Sequence, residues 1–326
     1  MGTVLRSSGR AFGHGGEGRD TGFMHIGVSE RSGYGVADVR VGARWMVERV
    51  RAARDAGLDS LFLGEHHSTG GTYYQNVPML GRLMAEWGSR PAGALFLLPL
   101  WHPVLLAEQV GTLAALTEGR FILQCALGGG DDQFAGMGVS LRGRVARFES
   151  TLDVLRRLLA GEEVTTDDPL PIRAARSGPL PTEPVDVWIG ASAPVAIDRA
   201  ARLGDGWIAA PGLTLTEAAD QIEWYRSSCA AHDRPVGVTA IRRDIHVGGD
   251  RSDAWRVAAP ILAQGYRGMS REALVVGGPA EVGQAFADLG DLGYSHVLVR
   301  HLADDQGEVL ASYERLAVVR SDLAGG

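Results

Sequence analysis

The chain has 326 residues, of which 45% are hydrophobic and 22% charged, and this composition is typical of a folded globular protein rather than a disordered one. Its net charge of −7 argues against a protein that binds the phosphate backbone of nucleic acids. All 32 basic residues are arginine, which excludes Schiff-base catalysis by lysine and a Walker-type nucleotide site.

Cys125 and Cys229 do not make a disulfide framework, so the sequence predicts a reducing, cytoplasmic location. Residues 1–23 are rich in Gly, Arg and Ser and contain no apolar run of signal-peptide length. We interpret them as a disordered leader or as translation from an upstream start, and we expect one domain over residues 24–326. No window has the ~18 consecutive apolar residues of a membrane helix, so we expect no membrane contact.

From residue 24 onward, short apolar runs alternate with stretches of helical periodicity. The runs that predict strands cover residues 24–29, 58–65, 92–100, 120–127, 185–192, 206–211, 236–248 and 296–300. The stretches that predict helices cover residues 41–56, 104–116, 146–159, 193–203, 216–231, 279–292 and 305–323. Between them, residues 161–184 predict a long loop, and residues 249–275 predict a helix with an excursion.

Eight strands that alternate with helices predict a parallel α/β fold, and eight is the number that closes a (β/α)8 TIM barrel. An open doubly wound sheet is the competing architecture. The GxGxxG signature of dinucleotide-binding sheets is missing between the first strand and the first helix, which weakens that alternative.

The second strand run ends in Glu65-His66-His67, and catalytic groups of a barrel lie at such carboxyl ends. Neighbouring residues on a strand point to opposite sides, so His66 and His67 cannot both face one substrate. The HExxH spacing of a zinc site is absent, and we expect no metal. Histidine exchanges protons near neutral pH, which suits catalysis, although the triplet could equally satisfy the loop backbone.

Small residues follow two other strands. Gly128 begins a glycine run after the fourth strand, where a ligand can approach the backbone closely or the chain can simply turn. Gly190-Ala191-Ser192 joins the fifth strand to a helix, whose free N–H groups suit a phosphate, although Ser192 would also serve as a plain helix cap. Trp207, near the end of the sixth strand, could line a planar ligand or pack in the core.

Four blocks together resemble the bacterial luciferase-like flavin-dependent monooxygenase family. They are AGLDSLFLGEHHS (56–68), LLPLWHPVLLAEQVGTLAALTEGRF (97–121), ALGGGDDQFAGMG (126–138) and VWIGASAPVAIDRAARLGDGW (187–207). The blocks occur in the order and spacing of the family, and the similarity runs over residues 24–323.

The resemblance implies a TIM barrel, often a homodimer, that uses reduced FMN from a separate flavin reductase. Such enzymes react the flavin with oxygen to a hydroperoxide, which oxidises a small organic substrate. It implies that His66 is the catalytic histidine, with Glu65 and His67 beside it.

The resemblance also implies the cofactor site. Gly190, Ala191 and Ser192 would hold the flavin phosphate, and Trp207 would lie beside the ring. A cis peptide would fall near Ala94–Leu95, under the flavin.

This sequence departs from the family at three positions. Leu127, before Gly128, occupies the place of a phosphate-binding arginine, and Ala191 occupies that of an acidic residue. The reactive cysteine of the family aligns with Ala126, one residue after Cys125. These departures argue against light emission, and they leave the phosphate to backbone N–H groups and to one of Arg142, Arg144 or Arg147.

Two other functions remain open. A deazaflavin-dependent oxidoreductase of the same fold would transfer a hydride instead of activating oxygen. A non-catalytic flavin-binding partner subunit is the third hypothesis, and the retained Glu65-His66-His67 argues against it. The sequence does not name the substrate.

Overall fold

The computed structural model describes residues 24–325, so the prediction for the leader, 1–23, lies outside the described residues. Its strands are β1 His25–Glu30, β2 Ser60–Leu63, β3 Ala92–Leu97, β4 Ile122–Ala126, β5 Val164–Thr166, β6 Ile172–Ala175, β7 Asp186–Gly190, β8 Gly206–Ala209, β9 Val238–Val247, β10 Val275–Gly277 and β11 His296–His301. Its helices are α1 Val39–Asp55, α2 Asn76–Trp87, α3 Pro103–Ala114, α4 Asp131–Gly136, α5 Arg144–Leu159, α6 Pro194–Leu203, α7 Leu215–Ala231, α8 Arg251–Ala263, α9 Pro279–Leu292 and α10 Gln306–Gly325.

Eight parallel strands close on themselves. Around the barrel they follow the order β1, β2, β3, β4, β7, β8, β9 and β11, and β11 pairs with β1 again. The predicted (β/α)8 TIM barrel is therefore confirmed, and the open doubly wound sheet is excluded. Strand β10 only extends the ladder at the carboxyl end of β9.

The predicted strand runs and helices all occur, but one long helix was missed and the prediction of a loop over residues 161–184 was wrong. Helix α2 was missed, although Leu80, Leu83, Met84 and Trp87 are buried at helical spacing. The predicted loop 161–184 contains the antiparallel hairpin of β5 and β6, whose strands of three and four residues are too short to give a periodic signal.

The bottom of the barrel is filled with apolar side chains. Phe62, Ile122, Trp188, Ala240 and Leu298 form one buried cluster, separate from the larger core between strands and helices. The rings of Phe62 on β2 and Trp188 on β7 are 5.5 Å apart, although these strands are not neighbours, so the contact crosses the interior. A ligand can therefore enter only from the end where the strands finish.

Within the described part of the chain, no helix combines the length and apolar character that crossing a membrane requires.

At Gly93, strands β3 and β4 approach each other too closely for a side chain. A Cβ at this position would lie 1.9 Å from the carbonyl oxygen of Ile122 on β4. We therefore expect Gly93→Ala to lower the free energy of unfolding by about 3 kcal/mol or more. The measurement is urea unfolding followed by circular dichroism. Gly81→Ala is the control, because a Cβ there meets open space on α2 and should stabilise by about 0.5–1 kcal/mol. Similar midpoints for the two variants would contradict this packing.

His296 lies at the closed end of the barrel. Its ring contacts Trp188 edge-on at 5.1 Å and stacks on His25 at 4.6 Å. Burial, and then the charge of His25, lowers the pKa of His296 to about 3.

This histidine predicts acid sensitivity. The folded protein keeps His296 neutral down to about pH 3, whereas an unfolded chain binds the proton near pH 6.5. The contribution of His296 to the free energy of unfolding is therefore complete above about pH 6.5 and is lost as the pH falls below that value. We expect His296→Gln to reduce the fall in unfolding free energy between about pH 6 and 4 by roughly 1.4 kcal/mol per pH unit. The same substitution at exposed His102 should leave the slope unchanged. Parallel slopes for wild type and His296→Gln would refute the prediction.

Candidate functional site

The rim at the carboxyl ends of the strands carries the Glu65-His66-His67 triplet, directly after β2. Glu65 is buried at this rim and binds several neighbouring groups. Its carboxylate accepts hydrogen bonds from the indole N–H of Trp101 at 2.8 Å, from the backbone N–H of Leu97 and from the Asn76 amide at 3.4 Å. One of its oxygens lies 3.2 Å from Nε2 of His67. Among residues 24–325 no arginine forms an ion pair with Glu65, and the His67 ring is the basic side chain that lies against it.

The two histidines have different surroundings. His67 is half-buried against Glu65, and its backbone N–H donates to the Gln133 side chain at 2.9 Å. Its Nε2 is buried and not aligned for a hydrogen bond with the carboxylate. His66 is exposed at the rim, with its ring edge-on to Tyr73 at 6.0 Å. Only His66 is therefore free to meet a substrate.

The loop from β7 to α6 offers free hydrogen-bond donors. Ala191 donates its N–H to the carbonyl of Ile208 on β8. In the described structure no protein acceptor takes the N–H groups of Ser192, Ala193 or Val195, which lie exposed at the start of α6. They can hold an anion at the positive end of the helix dipole.

Leu127 lies beside this loop, because β4 pairs with β7 in the register Cys125 with Ile189. Gly128 follows with a φ of +66°, in the left-handed region that favours glycine. Cys125 is fully buried towards the helices, and burial raises the pKa of its thiol, so it is not a reactive cysteine.

The predicted cis peptide at Ala94–Leu95 is wrong. The cis bonds within the described residues precede Pro169 and Pro179. Strand β3 pairs with β4 at every residue from Gly93 onward, so its backbone is regular there. Ala94 packs into the core beneath the helices, and only half-buried Leu95 is placed to line the mouth of the barrel.

The prediction for Trp207 also needs correction. Its ring is fully buried and stacks on Tyr225 of α7 at 5.2 Å, so it points into the helix layer and away from the mouth. Its indole N–H donates to the carbonyl of Ala191 at 2.9 Å. Trp207 therefore supports the loop between β7 and α6 instead of contacting a cofactor.

Sequence reasoning missed a charged group on the opposite wall. Arg242 and Asp244 on β9, Arg300 on β11 and Tyr266 after α8 converge there. The available signal was the position of Arg242 and Asp244 in a buried strand, on the face opposite to that of Ile241 and Ile245, which places these two charges on the interior face.

A closed (β/α)8 barrel with titratable groups at this rim is typical of TIM-barrel enzymes. Residues 23–283 match the family model described as luciferase-like monooxygenase, and the chain belongs to this family. Members of the family are oxidoreductases that use a flavin or the deazaflavin F420.

Similar proteins include F420-dependent glucose-6-phosphate dehydrogenases. That of Intrasporangium calvum is 25% identical, over 86% of this chain and 96% of its own. That of Beutenbergia cavernae is 31% identical, over 56% of this chain and 57% of its own.

Two solved structures share the fold. The oxygenating constituent of 3,6-diketocamphane monooxygenase from Pseudomonas putida has a TM-score of 0.77 at 15% identity, over 93% of this chain and 98% of its own. An F420-dependent secondary alcohol dehydrogenase has a TM-score of 0.74 at 15% identity, over 91% and 99%.

The different surroundings of the two histidines can be tested by stability. We expect His67→Ala to lower the free energy of unfolding by about 1–3 kcal/mol, because it removes a half-buried ring that packs against the Glu65 carboxylate and the Trp101 ring. His66→Ala is the matched variant and should change it by less than about 0.5 kcal/mol, because His66 is exposed. Urea unfolding at neutral pH measures both. A larger loss for His66→Ala would reverse the assignment.

Proposed function

We propose that this protein is an F420-dependent oxidoreductase that transfers a hydride between the cofactor and an alcohol or carbonyl carbon of a small organic substrate. The observation that carries the proposal is the neutral anion site at the start of α6. Its donors are the free N–H groups of Ser192, Ala193 and Val195, with Leu127 and Ala191 alongside.

The charge of the cofactor phosphate decides between the two cofactors. FMN ends in a phosphate monoester, which carries close to two negative charges at neutral pH. F420 carries its phosphate as a diester with one charge, which neutral N–H groups can hold without a cation.

Two of the three arginines expected to replace the missing cation donate elsewhere. Arg147 donates to the carbonyl of Pro99 at 2.6 Å, and one Nη of Arg144 donates to that of Leu141 at 3.5 Å. This arrangement favours the diester.

The residues at the rim fit hydride transfer. Bound F420 supplies a carbon that accepts or returns a hydride. His66 takes the hydroxyl proton when an alcohol is oxidised and gives it back when a carbonyl is reduced. Glu65, through Trp101, Leu97 and His67, fixes the backbone around that histidine. The apolar floor of the barrel excludes water from below the reacting atoms.

The comparisons support this proposal at the level of the cofactor, since the curated relatives are named as F420-dependent dehydrogenases. Their sugar phosphate substrate is a property of those proteins.

The second candidate is the FMN-dependent monooxygenase that the sequence analysis favoured. The Glu65-His66-His67 triplet is the observation in its favour, through its resemblance to the luciferase branch. In that case reduced FMN, a flavin reductase and oxygen would be required. A homodimer and a cytoplasmic location stay predictions under either function.

Cofactor titration discriminates between the candidates. We expect the protein to quench the fluorescence of F420 on binding and to bind it at least about tenfold more tightly than FMN, a difference of ~1.4 kcal/mol. Leu127→Arg, which places a cation beside the anion site, should raise the affinity for FMN and narrow this preference. His66→Ala should bind F420 as wild type does while losing turnover.

Leu116→Arg provides the control, because it introduces the same charge at an exposed position beyond α3. Tighter binding of FMN than of F420 by the wild-type protein would establish the second candidate instead. A preference that does not respond to Leu127→Arg would refute the charge argument.

A further inference from the structure

The interior face of the barrel becomes charged where β9 and β11 reach the rim. Ala240 and Leu298 belong to the buried interior cluster, and side chains two residues apart on a strand share a face. Arg242 and Asp244 on β9 and Arg300 on β11 therefore face the interior. The register pairs Arg300 with Asp244, so these charges lie at one level of the wall.

Asp244 is the one carboxylate within this group of arginines. Asp244 is fully buried, accepts from Nε of Arg242 at 3.1 Å and accepts from the Tyr266 hydroxyl at 2.6 Å. Both of its oxygens are thereby engaged. Nη2 of Arg242 and Nε of Arg300 are buried and have no hydrogen-bond partner among residues 24–325. Buried guanidinium nitrogens without an acceptor are costly, and an oxyanion would satisfy them.

A third arginine lies on the loop after α8, next to Tyr266. Arg267 adopts a φ of +50°, between Gly265 and Gly268, which also have positive φ. A left-handed conformation is unfavourable for a non-glycine residue, so its presence here indicates a local requirement for this side chain. Arg267 directly follows Tyr266, whose hydroxyl donates to Asp244 at 2.6 Å. Burial, and then the charge of Arg267, lowers the pKa of Arg300, in agreement with this placement.

We propose that Arg242, Arg267 and Arg300 form a binding site for an anionic group of the substrate, a phosphate monoester or a carboxylate. Arg242 and Arg300 lie beside a single carboxylate, that of Asp244, and Arg267 follows Tyr266, which donates to the same carboxylate. The planar forks of guanidinium groups match the oxygens of such an anion. That this anion belongs to the substrate rests on the proposed function.

Its position separates this anion site from the cofactor site. The loop after β7 follows the fifth strand of the barrel, whereas Arg242 and Arg300 lie on the seventh and eighth. The arginine site instead adjoins the catalytic side. Strand β11, which carries Arg300, is separated only by β1 from β2, which leads to His66. An anion held there would leave the rest of the substrate within reach of His66.

The test uses inorganic phosphate as the probe. The melting temperature and the calorimetric affinity are measured with sodium phosphate against sodium chloride at equal ionic strength. We expect phosphate to stabilise the wild-type protein and Arg300→Gln to weaken its affinity at least about tenfold. Without phosphate, Arg300→Gln should melt no lower than wild type, because it removes a buried charge that repels its neighbours.

Two further variants sharpen the result. Arg267→Gly should raise the melting temperature by relieving the left-handed backbone while also weakening phosphate affinity. Arg251→Gln removes an arginine that is 71% exposed on α8, and it should change neither the melting temperature nor the phosphate affinity. Equal phosphate affinity in wild type, Arg300→Gln and Arg267→Gly would overturn the site.

Competition with F420 identifies the source of the anion. If phosphate and F420 bind independently, the arginines serve the substrate. If they exclude each other and Arg300→Gln weakens both, the arginines hold the cofactor, and the substrate assignment is overturned. If F420 does not bind but phosphate still depends on the arginines, the proposed function fails and the anion site stands.

Discussion

The ladder between β9 and β11, together with that between β11 and β1, closes the eight parallel strands into a barrel. Everything functional in the molecule depends on this closure. Because all strands run in the same direction, their carboxyl ends form one rim, and groups distant in sequence meet across it. The apolar cluster of Phe62, Trp188 and their neighbours fills the other end, so ligands can enter only at the rim.

The rim is electrostatically divided. On one wall, β4 and β7 end in small or apolar residues, and the donors of the β7–α6 loop, its N–H groups and the Ser192 hydroxyl, are neutral. On the other wall, β9 and β11 bring guanidinium groups together around a single buried carboxylate. Between them, the buried Glu65 carboxylate fixes the segment that carries His66. This division suits a cofactor with a weakly charged phosphate facing a more strongly charged substrate.

Much of the barrel could be predicted from the sequence, because a strand covered on both faces must be apolar throughout. Helix α2 could also have been predicted, from the helical spacing of Leu80, Leu83, Met84 and Trp87. The hairpin of β5 and β6 was not, since its few residues alternate over too short a stretch. The separation of His66 from His67 followed from strand geometry alone.

The sequence by itself determined the family, the number of barrel strands and the place of the triplet at a strand end, because these depend on local pattern and spacing. Only the tertiary structure decided which way side chains point once strands are packed. It directed Trp207 into the helix layer, kept β3 regular at Ala94–Leu95 and brought Arg300 beside Arg242. These outcomes depend on register between strands that are far apart in the chain, and the local amino-acid pattern does not specify that register.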